Sequence, residues 1–171
     1  ARKKTDKSVS EQEYLEFVGK NVLDWKDAEK QKVTSAVQGL QRKFESLALP
    51  FPKKVFLVKT TGDEEGGAAY TRANAIILPK AEIAVPMAKL RKRICHELFH
   101  VLSRANPELR EELYAVMGWV RCVEVEFPTW LKSLKITNPD APANDHWIRL
   151  TIQGKDSWAV PILFSGAEKY N

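Results

Sequence analysis

His96-Glu97-Leu98-Phe99-His100 is the stretch on which the reading of this chain turns. Its form is HExxH. On a helix, residues four apart stand one above the other, so both imidazoles point into the same space. Two imidazoles on one face can close on a single zinc, with nitrogens roughly 2.0–2.1 Å from the metal. Glu97 sits beside them, where a general base meets a metal-bound water. The spacing therefore predicts a zinc-dependent hydrolase, first of all a peptidase.

The motif demands a helix, and the flanking residues supply one. Pro86 suits a first turn, and Met87 to Cys95 are good helix formers. Apolar residues recur at Met87, Leu90, Ile94, Leu98 and Val101, a helical period that puts His96 and His100 on the opposite side. Pro107 disfavours helical geometry at Asn106 and ends the helix there. The chain has only three histidines, and two of them stand in the motif.

A catalytic zinc takes three protein ligands and leaves the fourth position to water. The next segment, Pro107 to Met117, reads as a second helix with Leu109, Leu113, Val116, Met117 and Val120 as its apolar stripe. Glu112 falls at the edge of that stripe, Glu111 nearly opposite, and Glu108 between them. A ligand faces inward without sitting in the core, which favours Glu112 over Glu108 and Glu111. The alternative for each is a solvated acid in the first turns of a helix.

An HExxH helix followed by a glutamate on a second helix resembles the zincin metallopeptidases, in their glutamate-ligand branch, the gluzincins. His96 to Leu102 followed by Glu111-Glu112-Leu113-Tyr114 is also locally similar to the clostridial neurotoxin light chains. The second glutamate of their corresponding pair is a metal ligand, and carried over it again selects Glu112. The similarity covers about a dozen positions in two blocks, with a shorter gap between them here, and implies shared local geometry only. Arg93 departs from the zincin pattern, which has a small or apolar residue three positions before the first histidine.

The resemblance implies an α+β, zincin-like fold. N-terminal helices pack on a small mixed sheet, followed by the HExxH helix, the second ligand-bearing helix and a C-terminal β-hairpin. It implies Zn2+ held by His96, His100 and Glu112, with Glu97 taking a proton from water and passing it to the leaving amine. A further donor to the oxyanion is expected from His146, Tyr114, Tyr70 or Tyr170. Carboxylates behind the ligands are expected too, with Glu124 and Asp140 as candidates. The strand above the active helix pairs with extended substrate in zincins, and Tyr70 to Leu78 is expected to include that edge.

Outward from the motif, Ser10-Glu11-Gln12-Glu13 has the form of a capping box and opens a helix to about Leu23. A longer helix is predicted over Asp27 to Leu47, with Val33, Ala36, Val37, Leu40, Phe44 and Leu47 on one face. Lys54 to Lys59 is β-rich, Gly62 to Gly67 is a turn or flexible loop, and Ala69 to Leu78 is a strand or hairpin. Val120 to Phe127 is expected to be extended. His146 to Gln153 and Ser157 to Phe164 read as a hairpin turning at Gly154-Lys155-Asp156. Asn138 to Asp145 is a turn-rich loop leading to His146.

The chain has 171 residues, 44% hydrophobic and 29% charged, which suits one globular domain with a basic tail over residues 1–9. No apolar run approaches the ~20 residues of a membrane span. Cys95 and Cys122 form neither a disulfide framework nor a metal-ligand spacing. Ala1 is not an initiator methionine, so the first residue does not decide export. The net charge is +5, from 27 basic and 22 acidic residues. Lys89, Lys92 and Arg93 share the histidine side of the helix and bias the cleft toward acidic substrates. The expected partner is a peptide or protein substrate, with no nucleic acid, and the expected state is a monomer. Two other classes compete: a zincin fold that binds metal as an interaction domain without proteolysis, and a basic partner-binding module.

Overall fold

The computed structural model describes residues 9–136 and 143–165. The basic tail at Arg2, Lys3, Lys4 and Lys7, and the candidates Asp140 and Tyr170, lie outside the described residues. The chain is α+β and divides into two compact units at Ala105–Asn106.

The first unit opens with α1 (Glu11–Lys20), capped as expected. The Ser10 backbone donates to Glu13 Oε2 at 2.9 Å, and Glu13 N donates to Ser10 Oγ at 3.3 Å. The helix stops at Lys20, short of Leu23, because the chain is recruited elsewhere. Leu23 N donates to Lys59 O and Thr61 N donates to Asn21 O, both at 2.9 Å, which lays residues 21–23 beside a strand. Helix α2 (Asp27–Phe44) buries Val33, Ala36 and Leu40 on the predicted face. Leu47, expected on that face, is exposed. The last three residues have tightened into a 3-10 turn, which takes their side chains out of the 3.6-residue register.

Three strands follow: β1 (Phe56–Thr60), β2 (Tyr70–Arg72) and β3 (Ala75–Pro79). Their order is β1-β3-β2, with β3 parallel to β1 and antiparallel to β2. The sheet is small and mixed. The segment expected to include an edge has Tyr70–Arg72 on one, a turn at Ala73-Asn74, and the central strand from Ala75. Two short steps, α3 (Lys80–Ala84) and Pro86, lead into α4 (Met87–Ala105). Lys32 of α2 donates to the Ile83 and Val85 carbonyls at 2.8 and 2.7 Å, satisfying the exposed end of α3.

The core of this unit is where α2, β3 and α4 meet. Val33, Ala36 and Leu40 pack with Ile76, Leu78, Leu90, Ile94 and Val101. Each of the valine, leucine and isoleucine side chains contributes about 1.5–3 kcal/mol of burial. Gly39 of α2 faces the Arg91 guanidinium of α4, which a Cβ at that position would meet at 3.2 Å.

Gly62 to Gly67, expected as a turn or flexible loop, is a turn that folds inward. Asp63–Glu65 forms a 3-10 turn, bounded by Gly62 and Gly66 with φ of 95° and 62°. A Cβ on Gly62 would meet Pro79 Cβ at 3.0 Å, so position, as well as φ, selects glycine. Glu64 is fully buried and Glu65 nearly so. Glu65 accepts from Tyr14 Oη at 3.4 Å and lies 3.5 Å from Arg72 Nη2. Both carboxylate oxygens of Glu64 are buried without a hydrogen-bond partner among the described residues.

The second unit contains α5 (Pro107–Val116), β4 (Trp119–Arg121), α6 (Thr129–Leu134), β5 (His146–Ile152) and β6 (Lys155–Ala159). The three strands form an antiparallel meander in chain order. Of the extended run expected over Val120 to Phe127, Val120 and Arg121 lie in β4, Cys122 N and Val125 N go on to donate to Asp145 O and Asn144 O at 2.8 and 3.0 Å, and α6 was not anticipated. The hairpin is present, but it turns at Gln153-Gly154. Both turn residues have positive φ, 51° and 75°, so a two-residue turn suffices and β6 begins at Lys155. Trp147 and Trp158 stack across the strands with centroids 5.0 Å apart. Among the described residues no helix is long and apolar enough to cross a membrane.

Candidate metal centre

Helix α4 carries the HExxH motif without a break. No glycine or proline falls between Met87 and Ala105, and Asn106, with φ −134° and ψ 80°, leaves helical geometry before Pro107. His96 and His100 stand one turn apart with their Nε2 atoms 3.1 Å from each other. Their rings meet edge to face, centroids 4.7 Å apart at 80°. Two nitrogens held by one tetrahedral zinc lie about 3.3 Å apart, so the pair already stands near a chelating distance. The same distance serves an N–H···N hydrogen bond between neutral rings. His96 is exposed and His100 half-buried.

Glu97 is placed differently from the predicted pattern. It is 1% exposed and belongs to the buried stripe Leu90, Ile94, Glu97, Val101. Leu98, expected in that stripe, is only partly buried. The reason is rotational: Glu97 falls three residues after Ile94 and four before Val101, so any helix that buries those two turns residue 97 inward. The carboxylate between the histidines is therefore a core side chain by position.

The ends of α4 are anchored by charged side chains. Arg93 Nε donates to Glu82 Oε2 of α3 at 3.0 Å. The residue that departs from the zincin pattern thus has a structural partner, and of the three cations expected on the cleft side it is the one already paired. Lys89 and Lys92 are exposed. At the other end Arg104 donates to Thr71 Oγ1 at 2.9 Å and to Ala73 O at 3.1 Å, tying the motif helix to edge strand β2. Tyr70 is buried in that strand, with the Arg72 guanidinium 5.2 Å above its ring. Cys95 is a half-buried free thiol.

The remaining candidates lie in the second unit. Glu108 and Glu112 are exposed on α5. Glu111 is engaged through both oxygens. Oε1 accepts from Arg110 Nε and Nη2 at 3.0 and 2.9 Å, and Oε2 stands 3.0 Å from His146 Nε2. Partial burial pushes the Glu111 carboxyl up, but hydrogen bonds from Arg110 and His146 outweigh it and leave the group below its ordinary value. His146 is the first residue of β5, where the predicted hairpin begins, and its Nδ1 stands 2.8 Å from Asp145 Oδ1. The Tyr114 ring lies edge to face on the imidazole at 4.8 Å. Glu124 is exposed after β4.

Sequence reasoning missed this Arg110–Glu111–His146–Asp145 chain. The Asp145-His146 pair was a visible hint, but Glu111 lies 35 residues away and nothing local joins them. Among the described residues, no three His, Cys, Asp or Glu side chains gather in an arrangement that could hold a metal. The histidine pair offers two donors. No protein-family model matches the chain, and no curated protein or solved structure matches it.

Proposed function

We propose that this chain is a zinc-dependent peptide-bond hydrolase of the zincin, glutamate-ligand type. The observation that carries the reading is the convergence of His96 and His100 Nε2 at 3.1 Å on one uninterrupted helix, with Glu97 between them. The donor set suits zinc, which favours imidazole nitrogen and carboxylate oxygen. His96 and His100 are two ligands in this reading. Glu112 is the third, on the strength of its wheel position and the motif resemblance. Zinc, when bound, supplies Lewis acidity and draws the pKa of a water toward neutrality.

The protein's own contribution is proton handling and orientation. Glu97 accepts a proton from the attacking water and returns it to the leaving amine. A hydrogen-bond donor to the developing oxyanion, from Tyr114 or His146, completes the reading. In the zincin reading an extended peptide pairs along a sheet edge, and β2 is an edge strand.

The burial of Glu97 favours a second reading. A carboxylate at 1% exposure is badly placed to exchange protons with water. A metal-binding interaction domain without proteolysis needs the histidines but not a reactive Glu97. Glu97→Gln separates the two. The hydrolase reading expects zinc stoichiometry unchanged and peptide cleavage lowered on the order of 10²–10⁴-fold. Metal retained with every activity unchanged would sink it.

A further inference from the structure

Strand β6 ends its sheet. In the order β4-β5-β6 only β5 lies beside it, and among the described residues nothing pairs with its other side. The side chains next to that open edge are apolar on both faces. Leu150 and Ile152 of β5 project to one face and Trp158 of β6 to the other, and all three are exposed. No described residue of the second unit is buried. A three-stranded sheet with so little of its apolar surface covered gains by acquiring strands.

The turn at Gln153-Gly154 tells which main-chain groups are open. A two-residue turn makes Ile152 and Lys155 a hydrogen-bonded pair. By alternation Ser157 and Ala159 also turn their backbone groups toward β5. The N–H and C=O of Asp156 and Trp158 then point outward, a template for another strand.

The strand that fits this template is β6 itself, run antiparallel about a two-fold axis. Opposed residues of antiparallel strands share a face, so a symmetric register must centre on a residue. Centring on Lys155 or Asp156 sets like charges opposite each other, which is unfavourable. Centring on Ser157 sets serine against serine, Asp156 of one copy against Trp158 of the other, and Lys155 against Ala159. This register overlaps the whole of Lys155–Ala159, and each Asp156–Trp158 pair exchanges outward main-chain hydrogen bonds. Asp156 is already held on its own sheet by Arg149 and by Thr151 Oγ1 at 2.9 Å, so its carboxylate does not oppose the approach. The two Trp158 rings take diagonal positions within reach of each other, continuing the Trp147–Trp158 stack across the axis.

We propose that β6 is a self-association edge: two copies of this chain join their second units into one continuous antiparallel sheet in the register centred on Ser157. A second copy fits better than a foreign peptide because the strand is complementary to itself. One short strand a side makes a small interface, so the dimer is reversible and depends on concentration. It requires neither a metal nor the histidine pair.

The test is sedimentation of the full chain across a concentration series, with amide exchange over the same series, for the parent, Ser157→Lys and Ser157→Cys. Far-UV circular dichroism reports folding in each. The parent should pass from the mass of one chain toward twice that mass. The Asp156 and Trp158 amides should gain protection in step, since they are open in one copy and bonded in two. Ser157→Lys, which sets two ammoniums together on the axis, should raise the dissociation constant at least about 10-fold and remove that protection. Residues facing each other on the axis lie within disulfide reach, so mild oxidation of Ser157→Cys should link two chains through position 157, identified by peptide mass. Should Ser157→Lys fail to fold, that cross-link and the amide protection carry the test. A parent that keeps the mass of one chain throughout overturns the proposal, whether its Asp156 and Trp158 amides are open or are covered within one chain. A dimer that folded Ser157→Lys leaves unchanged, or that yields no link through position 157, uses another surface and overturns it too.

Discussion

Lys59, buried in β1, donates to Glu29 Oε2 of α2 at 2.8 Å and to Asp24 O at 3.0 Å. The side chain of Lys59 is 6% exposed, so the ammonium depends on these partners. The Lys59 hydrogen bond, aided by the Lys26 backbone N–H, holds the Glu29 carboxyl below its ordinary value. A lowered carboxylate pKa in the fold contributes stability that is full above the unfolded value and is lost as pH falls through the folded one. Glu29→Gln should therefore lower Tm at neutral pH, and the gap from the parent should close below about pH 4.5. Thermal melts across that range check it, and a gap that stays constant with pH would speak against the pair.

Glu64 places an acid in the interior with neither oxygen bonded to a described residue. A buried polar group without a partner costs about 1–3 kcal/mol. Glu64→Met, similar in length and apolar, should raise the urea midpoint by a corresponding amount. A lower midpoint would mean that the carboxylate is stabilising in the fold.

Gln153 occupies a left-handed conformation at φ 51°, next to Gly154 at 75°. A residue with a long side chain is strained there, whereas Asn-Gly suits the turn. Gln153→Asn should stabilise the β5–β6 hairpin by up to about 1 kcal/mol. Amide exchange in residues 146–159 is the local readout, and faster exchange in the variant would contradict the turn assignment.

Lys89 and Lys92 are the exposed cations beside the motif once Arg93 is paired with Glu82. If the hydrolase favours acidic peptides, replacing both lysines by glutamate should reverse the preference in a peptide library. Parent cleavage with no acidic preference removes the idea before any variant is made.

Elements governed by local rules were readable in the residues. The Ser10 cap, the stripe of Val33, Ala36 and Leu40, and the span of α4 all follow from capping and periodicity, which act over a few positions. Boundaries set by distant chain were not readable. Helix α1 ends early because residues 21–23 are drawn to β1, and no local signal near Leu23 reports that. Glu64 is buried by distant chain that its own turn does not identify, whereas Glu97 lies between Ile94 and Val101 of the predicted stripe, so its burial was legible in the helical period and masked only by its charge. In the candidate centre, the four-residue spacing of His96 and His100 survives intact because helical geometry enforces it. The engagement of Glu111 with His146 depends on a helix and a strand meeting, and stayed invisible.

The tie from Arg104 to Thr71 and Ala73 has a mechanical consequence. It joins the last turn of α4 to the turn of the β2–β3 hairpin, so that helix and edge strand strain as one body. A load applied along β2, by a peptide drawn against it or by a pulling probe, reaches the motif helix through two hydrogen bonds at its far end. Arg104→Lys would keep the charge but give up the forked grip, and the helix would then yield separately from the strand in a forced-unfolding trace.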